Sequence, residues 1–153
     1  MKTMTENENT KKEVMHFGNH LTIDGYGGDF AKLNDKDTVM KVLDELPEKL
    51  HMKKLTEPFL VFAESNDKKD PGGWTGVVTI AESHISIHTF PARKFVSADV
   101  YTCTDNLEID FILNYFKELF DLKDIESNHI IRGKRYALYE VIIDKKEWDK
   151  IKE

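Results

Sequence analysis

Two periods of apolar and polar residues run along this chain, and they divide it into strands and helices. Residues 75–81, 84–90 and 95–102 alternate with a period of two between short polar breaks, which predicts three consecutive strands. Residues 16–26 predict an earlier strand, closed by the turn residues Gly25-Tyr26-Gly27-Gly28. Residues 58–63 are apolar throughout and predict a short strand, followed by a polar, turn-rich loop over 64–73. A helical period appears at Val39, Met40, Val42, Leu43 and Leu46, with Asn34 or Asp35 as the cap and Pro47 near the end. It returns over 107–120, where Ile109, Ile112, Tyr115, Phe116 and Leu119 share a face. Two last strands are expected at 129–131 and 136–143, before a charged tail. This order predicts an α+β fold, a two-layer sandwich whose largely antiparallel sheet carries helices on one face.

Length and composition narrow the picture. Residues 1–15 show no periodicity and read as a disordered tail, leaving 16–153 as a single domain. The formal charge of −6 is spread over mixed acidic and basic residues, which argues against nucleic acid or an anionic membrane as partner. No apolar run approaches the roughly 18 residues of a membrane span, and the polar N-terminus carries no secretory signal. The single cysteine cannot form an internal disulfide, so a reducing, cytoplasmic setting is expected.

The candidate chemistry lies in Glu82-Ser83-His84-Ile85-Ser86-Ile87-His88-Thr89 and the cysteine, Cys103. Together these supply a hydroxyl able to attack the backbone, a base and an acid-capable thiol. On a strand, His84, Ser86 and His88 share one side while Ser83 points to the other. Ser83 and His88 therefore cooperate only where the backbone turns or breaks beside Ser83. Singly, each residue has a plainer reading: a hydrogen-bonded structural histidine, or an inert buried cysteine. His84 and His88 suit one strand face as metal ligands, but no acidic or cysteine cluster completes a coordination sphere, and no metal is expected.

Taken jointly, the pattern resembles the prokaryotic-type S-adenosylmethionine decarboxylase proenzymes. The matching positions are Thr75-Gly76-Val77-Val78, Glu82-Ser83-His84, His88-Thr89, Pro91, Asp99, Thr102-Cys103 and the opening Gly18-Asn19-His20-Leu21. The resemblance implies a proenzyme that cleaves itself between Glu82 and Ser83, giving a β chain of residues 1–82 and an α chain of 83–153. Ser83 becomes a covalent, self-generated pyruvoyl group that forms a Schiff base with the substrate amine. His88 is the processing base, Thr75 the hydroxyl at the processing oxyanion, and Cys103 the proton donor. It also implies a homodimer of cleaved protomers and a role in polyamine biosynthesis.

The chain departs from that family at the nucleoside. An acidic residue that holds the ribose hydroxyls is Ala92 here, and an aromatic that stacks on adenine is Lys69. The favoured expectation is thus a basic amino acid, arginine or ornithine, with Asp70 and Asp24 as candidate carboxylates for its side chain. The alternatives are S-adenosylmethionine itself, held by other groups, and an unprocessed paralogue that regulates an active partner.

Overall fold

The computed structural model describes residues 16–136 and 145–151. The chain divides into two compact units, Gly18–Arg132 and the two flanking ends, Met1–Phe17 with Gly133–Glu153. The larger unit contains, among the described residues, six strands: β1 (Gly18–Tyr26), β2 (Phe59–Ala63), β3 (Gly73–Ile80), β4 (Ser83–Phe90), β5 (Phe95–Thr102) and β6 (Asp124–Arg132). They form one sheet in the order β2-β3-β4-β5-β1-β6, every neighbouring pair antiparallel. The α+β sandwich expected from the two periods is therefore present.

Alternation decides which face is buried. Leu21, Ile23, Val78, Ile85, Ile87, Val96 and Val100 are fully enclosed. They join Val39, Val42 and Leu43 of helix α2 (Lys36–Asp44) and Ile112, Phe116 and Phe120 of α4 (Ile109–Phe120) in one core. Truncating Phe116, which has no exposed surface, to alanine is expected to cost about 3–5 kcal/mol. The urea midpoint of the variant against the unchanged protein measures it. The opposite face holds the half-buried set His20, Thr22, Asp24, His84, Ser86, His88, Ser97, Asp99 and Tyr101.

Four details differ from the sequence expectation. The single helix expected after Asn34 is two, α2 and α3 (Leu46–Lys49), and a further helix, α1 (Phe30–Asn34), precedes them. Asp35 is extended and both ends α1 and caps α2, its carboxylate accepting from the Thr38 N–H and hydroxyl at 2.9 and 2.6 Å. Those bonds, the hydroxyl's first, hold its carboxyl below the ordinary range. Pro47 belongs to the first turn of α3, where its missing N–H costs nothing. The apolar run of β2 is an edge strand with Phe59 63% and Phe62 47% exposed. One strand, β6, replaces the short segment expected at 129–131. Its first half is polar because an exposed edge needs no apolar face, so alternation could not reveal it.

In the smaller unit, the N–H of Tyr136 closes a turn onto the Gly133 carbonyl at 2.9 Å, and Phe17 meets the Tyr136 ring edge-on at 5.1 Å. Part of the charged C-terminal stretch is a helix, α5 (Lys145–Ile151). The expected tail at 1–15 and most of the strand expected at 136–143 lie outside the described residues. Among the described residues no helix is long and apolar enough to cross a membrane.

Candidate active site

Residues Ala81 and Glu82 join β3 to β4 as a two-residue hairpin loop, with Ile80 paired to Ser83. Such loops favour residues that accept positive φ, glycine and asparagine above all. Neither is present, and the positive φ falls instead on Ser83, at +151°. Four other described non-glycine residues, His51, Asp67, Lys94 and Asp121, have positive φ between 51° and 58°. That is the ordinary left-handed basin. Ser83 lies outside it, in a region that costs a side-chain-bearing residue about 1–3 kcal/mol. Strain is thus held at the residue following the Glu82–Ser83 peptide bond.

The carbonyl of that bond has a partner. The backbone N–H of Cys103, just past the end of β5, donates to the Glu82 oxygen at 2.9 Å. A donor already aimed at a carbonyl remains in place when the oxygen gains charge, as addition of a nucleophile requires. The same residue carries the exposed thiol. Glu82, Ser83 and Cys103 therefore gather at one end of the β3–β4–β5 ladder. This arrangement fits the making of a carbonyl group from Ser83: a strained hydroxyl-bearing residue, a polarised carbonyl before it and a thiol beside it.

Thr75 and His88 gather elsewhere. They are opposed on β3 and β4, with His88 Nδ1 and Thr75 Oγ1 3.2 Å apart. Gly73 lets β3 lie this close to β4, since a Cβ there would stand 1.9 Å from the Thr89 carbonyl oxygen. His88 lines an open cleft of about 450 Å3 with Thr22, Asp24, Ser86, Ser97 and Asp99. Asp24 is thus brought to His88. Asp99 lies between two imidazoles, His20 Nε2 at 3.6 Å and His84 Nε2 at 3.5 Å.

The turn expected beside Ser83 is present, but it does not bring Ser83 to His88. The turn precedes Ser83, and β4 then pairs continuously with β3 and β5 as far as His88. Five residues of extended chain separate the two, about 16 Å at 3.3 Å per residue. Pairing on both edges holds the strand straight.

Asp70 joins neither group. Its carboxylate accepts the Gly72 N–H at 2.8 Å and so shapes its own loop. It lines a separate cleft of about 530 Å3 with Asn66, Lys69, Phe90, Arg93 and Phe95. Phe90 and Phe95 stack there, 5.5 Å between centroids at 27°. Ala92 is exposed on the turn Pro91–Arg93. The Cys103 N–H and the aromatic pair escaped the sequence reading, the first because a backbone donor leaves no mark in a residue pattern. Among the described residues no group of three or more His, Cys, Asp or Glu is arranged to hold a metal ion.

Known proteins are similar to this chain in sequence and fold. The sequence model of the S-adenosylmethionine decarboxylase family matches residues 19–133. An S-adenosylmethionine decarboxylase proenzyme of Clostridium botulinum is 33% identical over 121 residues, covering 79% of this chain and 98% of the relative. Another, from Clostridium kluyveri, is 32% identical over 129 residues, covering 84% and 94%. The crystal structure of the adenosylmethionine decarboxylase from Aquifex aeolicus superposes with a TM-score of 0.65 at 28% identity, covering 85% of this chain and 95% of that one. With a family model matching most of the chain and relatives covered almost end to end, the chain belongs to the S-adenosylmethionine decarboxylase family of self-cleaving, pyruvoyl-dependent carboxy-lyases.

Proposed function

We propose that this chain is a self-processing decarboxylase of S-adenosylmethionine, assembled as a homodimer in which each site draws on both copies. The observation that carries the processing chemistry is the Cys103 N–H on the Glu82 carbonyl, directly before a strained Ser83. Ser83 Oγ adds to the Glu82 carbonyl carbon, and the resulting oxyanion keeps the Cys103 N–H as donor. The C–N bond then breaks, leaving an ester between Glu82 and the Ser83 oxygen. A base removes the Ser83 α-proton, the Ser83 Cβ–Oγ bond breaks, and Glu82 departs with that oxygen as a carboxylate ending residues 1–82. The dehydroalanine left behind tautomerises to an imine, takes up water and loses ammonia, giving the pyruvoyl group at the head of residues 83–153. That group supplies the electron sink for loss of carbon dioxide. The Cys103 thiol, beside it, returns a proton to the substrate carbon.

The base is His88 of a second copy. Within one chain the five straight residues of β4 keep His88 from Ser83. The helix-free face of the sheet presents the Thr75–His88 pair together with Phe59, Val61 and Val77, which are 63%, 41% and 39% exposed. Exposed apolar side chains at the edge of a mixed polar face are suited to covering by a second copy of the same face. Thr75 holds the His88 imidazole toward its partner.

Substrate choice rests on the relatives, all named for S-adenosylmethionine; they lend no support to the expectation of arginine or ornithine. Phe90 and Phe95 give the adenine an aromatic surface in place of the one missing at Lys69. A basic amino acid stays as the second reading because Ala92 cannot accept from ribose hydroxyls, while Asp24 shares the His88 cleft. One assay separates the two. The processed protein is incubated with equal S-adenosylmethionine, arginine and ornithine, and the amine products are identified by mass spectrometry. Decarboxylated S-adenosylmethionine as the main product is expected; agmatine or putrescine in its place overturns the first reading in favour of the second.

A further inference from the structure

Asn19 is a polar residue where the alternation of β1 calls for an apolar one. It is 3% exposed, between Thr102 of β5 and Ile131 of β6. A carboxamide so enclosed needs partners at both ends, and both are present. Its Nδ2 donates to the Thr104 carbonyl at 2.7 Å, and its Oδ1 lies 2.8 Å from His129 Nε2. The orientation follows from chemistry: a backbone carbonyl only accepts, so the amide nitrogen faces Thr104, and His129 Nε2 carries the proton toward Oδ1.

Thr104 is tied from its other side as well. Its N–H donates to the hydroxyl of the fully buried Thr102 at 3.2 Å, and the two hydroxyls are 3.1 Å apart. Gly18, next to Asn19, lets the chain leave β5 at this point, for a Cβ there would stand 2.6 Å from the Thr102 oxygen. Between the two tethered threonines sits Cys103, whose N–H points at the Glu82 carbonyl. Asn19 touches neither Glu82 nor Ser83 through any of these bonds, yet it is bonded to the residue that follows the donor-bearing Cys103.

We propose that Asn19 is a positioning residue for self-cleavage, holding the Thr102–Thr104 turn so that the Cys103 N–H meets the Glu82 oxygen. This rests on the processing role proposed above for that N–H. It assigns Asn19 to the first step, the acyl shift from nitrogen to oxygen, and leaves the later elimination untouched.

The test is the cleavage rate of freshly refolded full-length precursor, with and without hydroxylamine, for the unchanged protein, Asn19→Asp and Asn19→Leu. Aspartate keeps the shape and the acceptor for His129 but sets an anion against the Thr104 carbonyl. Leucine suits the buried strand position and keeps the fold testable if aspartate does not; circular dichroism confirms folding of each. Both folded variants are expected to cleave about 10–100-fold more slowly, since loss of a whole oxyanion donor costs about 100–1,000-fold and a misaimed one less. Hydroxylamine cleaves esters, so it should not rescue chains stalled before the ester forms. Cleavage of either folded variant at the unchanged rate overturns the inference. So does a slow variant whose chains hydroxylamine splits, because its delay would lie in the elimination. If the unchanged protein itself fails to cleave, the processing reading falls and this inference with it.

Discussion

Replacing Ser83 by alanine leaves one chain of 17.8 kDa on a denaturing gel, where the unchanged protein gives two, residues 1–82 and 83–153. Alanine has no oxygen to add to the Glu82 carbonyl, so neither ester nor pyruvoyl group can form. The fold should survive, since the variant keeps the same Cβ at the same strained φ and loses only a hydroxyl on the hairpin. Decarboxylation is expected to fall below detection, because the electron sink is never made. Two chains from the Ser83→Ala variant would mean cleavage by another route and would sink the mechanism. A single chain from the unchanged protein would instead support an unprocessed regulatory paralogue.

The second large effect depends on pairing two copies. His88→Ala alone is expected to stop after the first step, accumulating ester that hydroxylamine splits, because the α-proton of Ser83 has lost its base. Co-expression of His88→Ala chains with Ser83→Ala chains should restore cleavage, though neither variant completes it alone. In a mixed dimer the intact Ser83 of one chain faces the intact His88 of the other. Random pairing of equal amounts then processes about half of the His88→Ala chains, and mass tags on the two variants identify which were cut. If mixing restores nothing while each variant is folded and dimeric, the shared site is wrong. If His88→Ala processes itself at full rate, His88 is not the base.

Much of the fold could be read from local pattern. The period-two runs at β3, β4 and β5 and the helical faces of α2 and α4 reflect one buried side per element, which each segment carries in its own residues. What misled was local as well. An apolar run at β2 belongs to an exposed edge, and a polar run at β6 belongs to the sheet because β1 offers it a free row of backbone partners. Pro47 reads equally as the end of one helix or the start of the next, and only the extended backbone at Asp35 and the separate turn at Leu46 divide the segment.

The sequence by itself determined the chemical inventory: a serine after a glutamate, a histidine five residues on, one cysteine, and the alternation that puts His84, Ser86 and His88 on one side of their strand. These are properties of residue types and of a period that each strand enforces alone. The tertiary structure decided which of them meet. The turn beside Ser83 forms, but pairing of β4 on both edges keeps Ser83 and His88 five residues apart on one strand. The chain's path past the end of β5 brings the Cys103 N–H to the Glu82 carbonyl, and β1 brings Asn19 to Thr104. Register between segments 71 to 83 residues apart is fixed by the packing of the whole sheet, so no local pattern could have declared it.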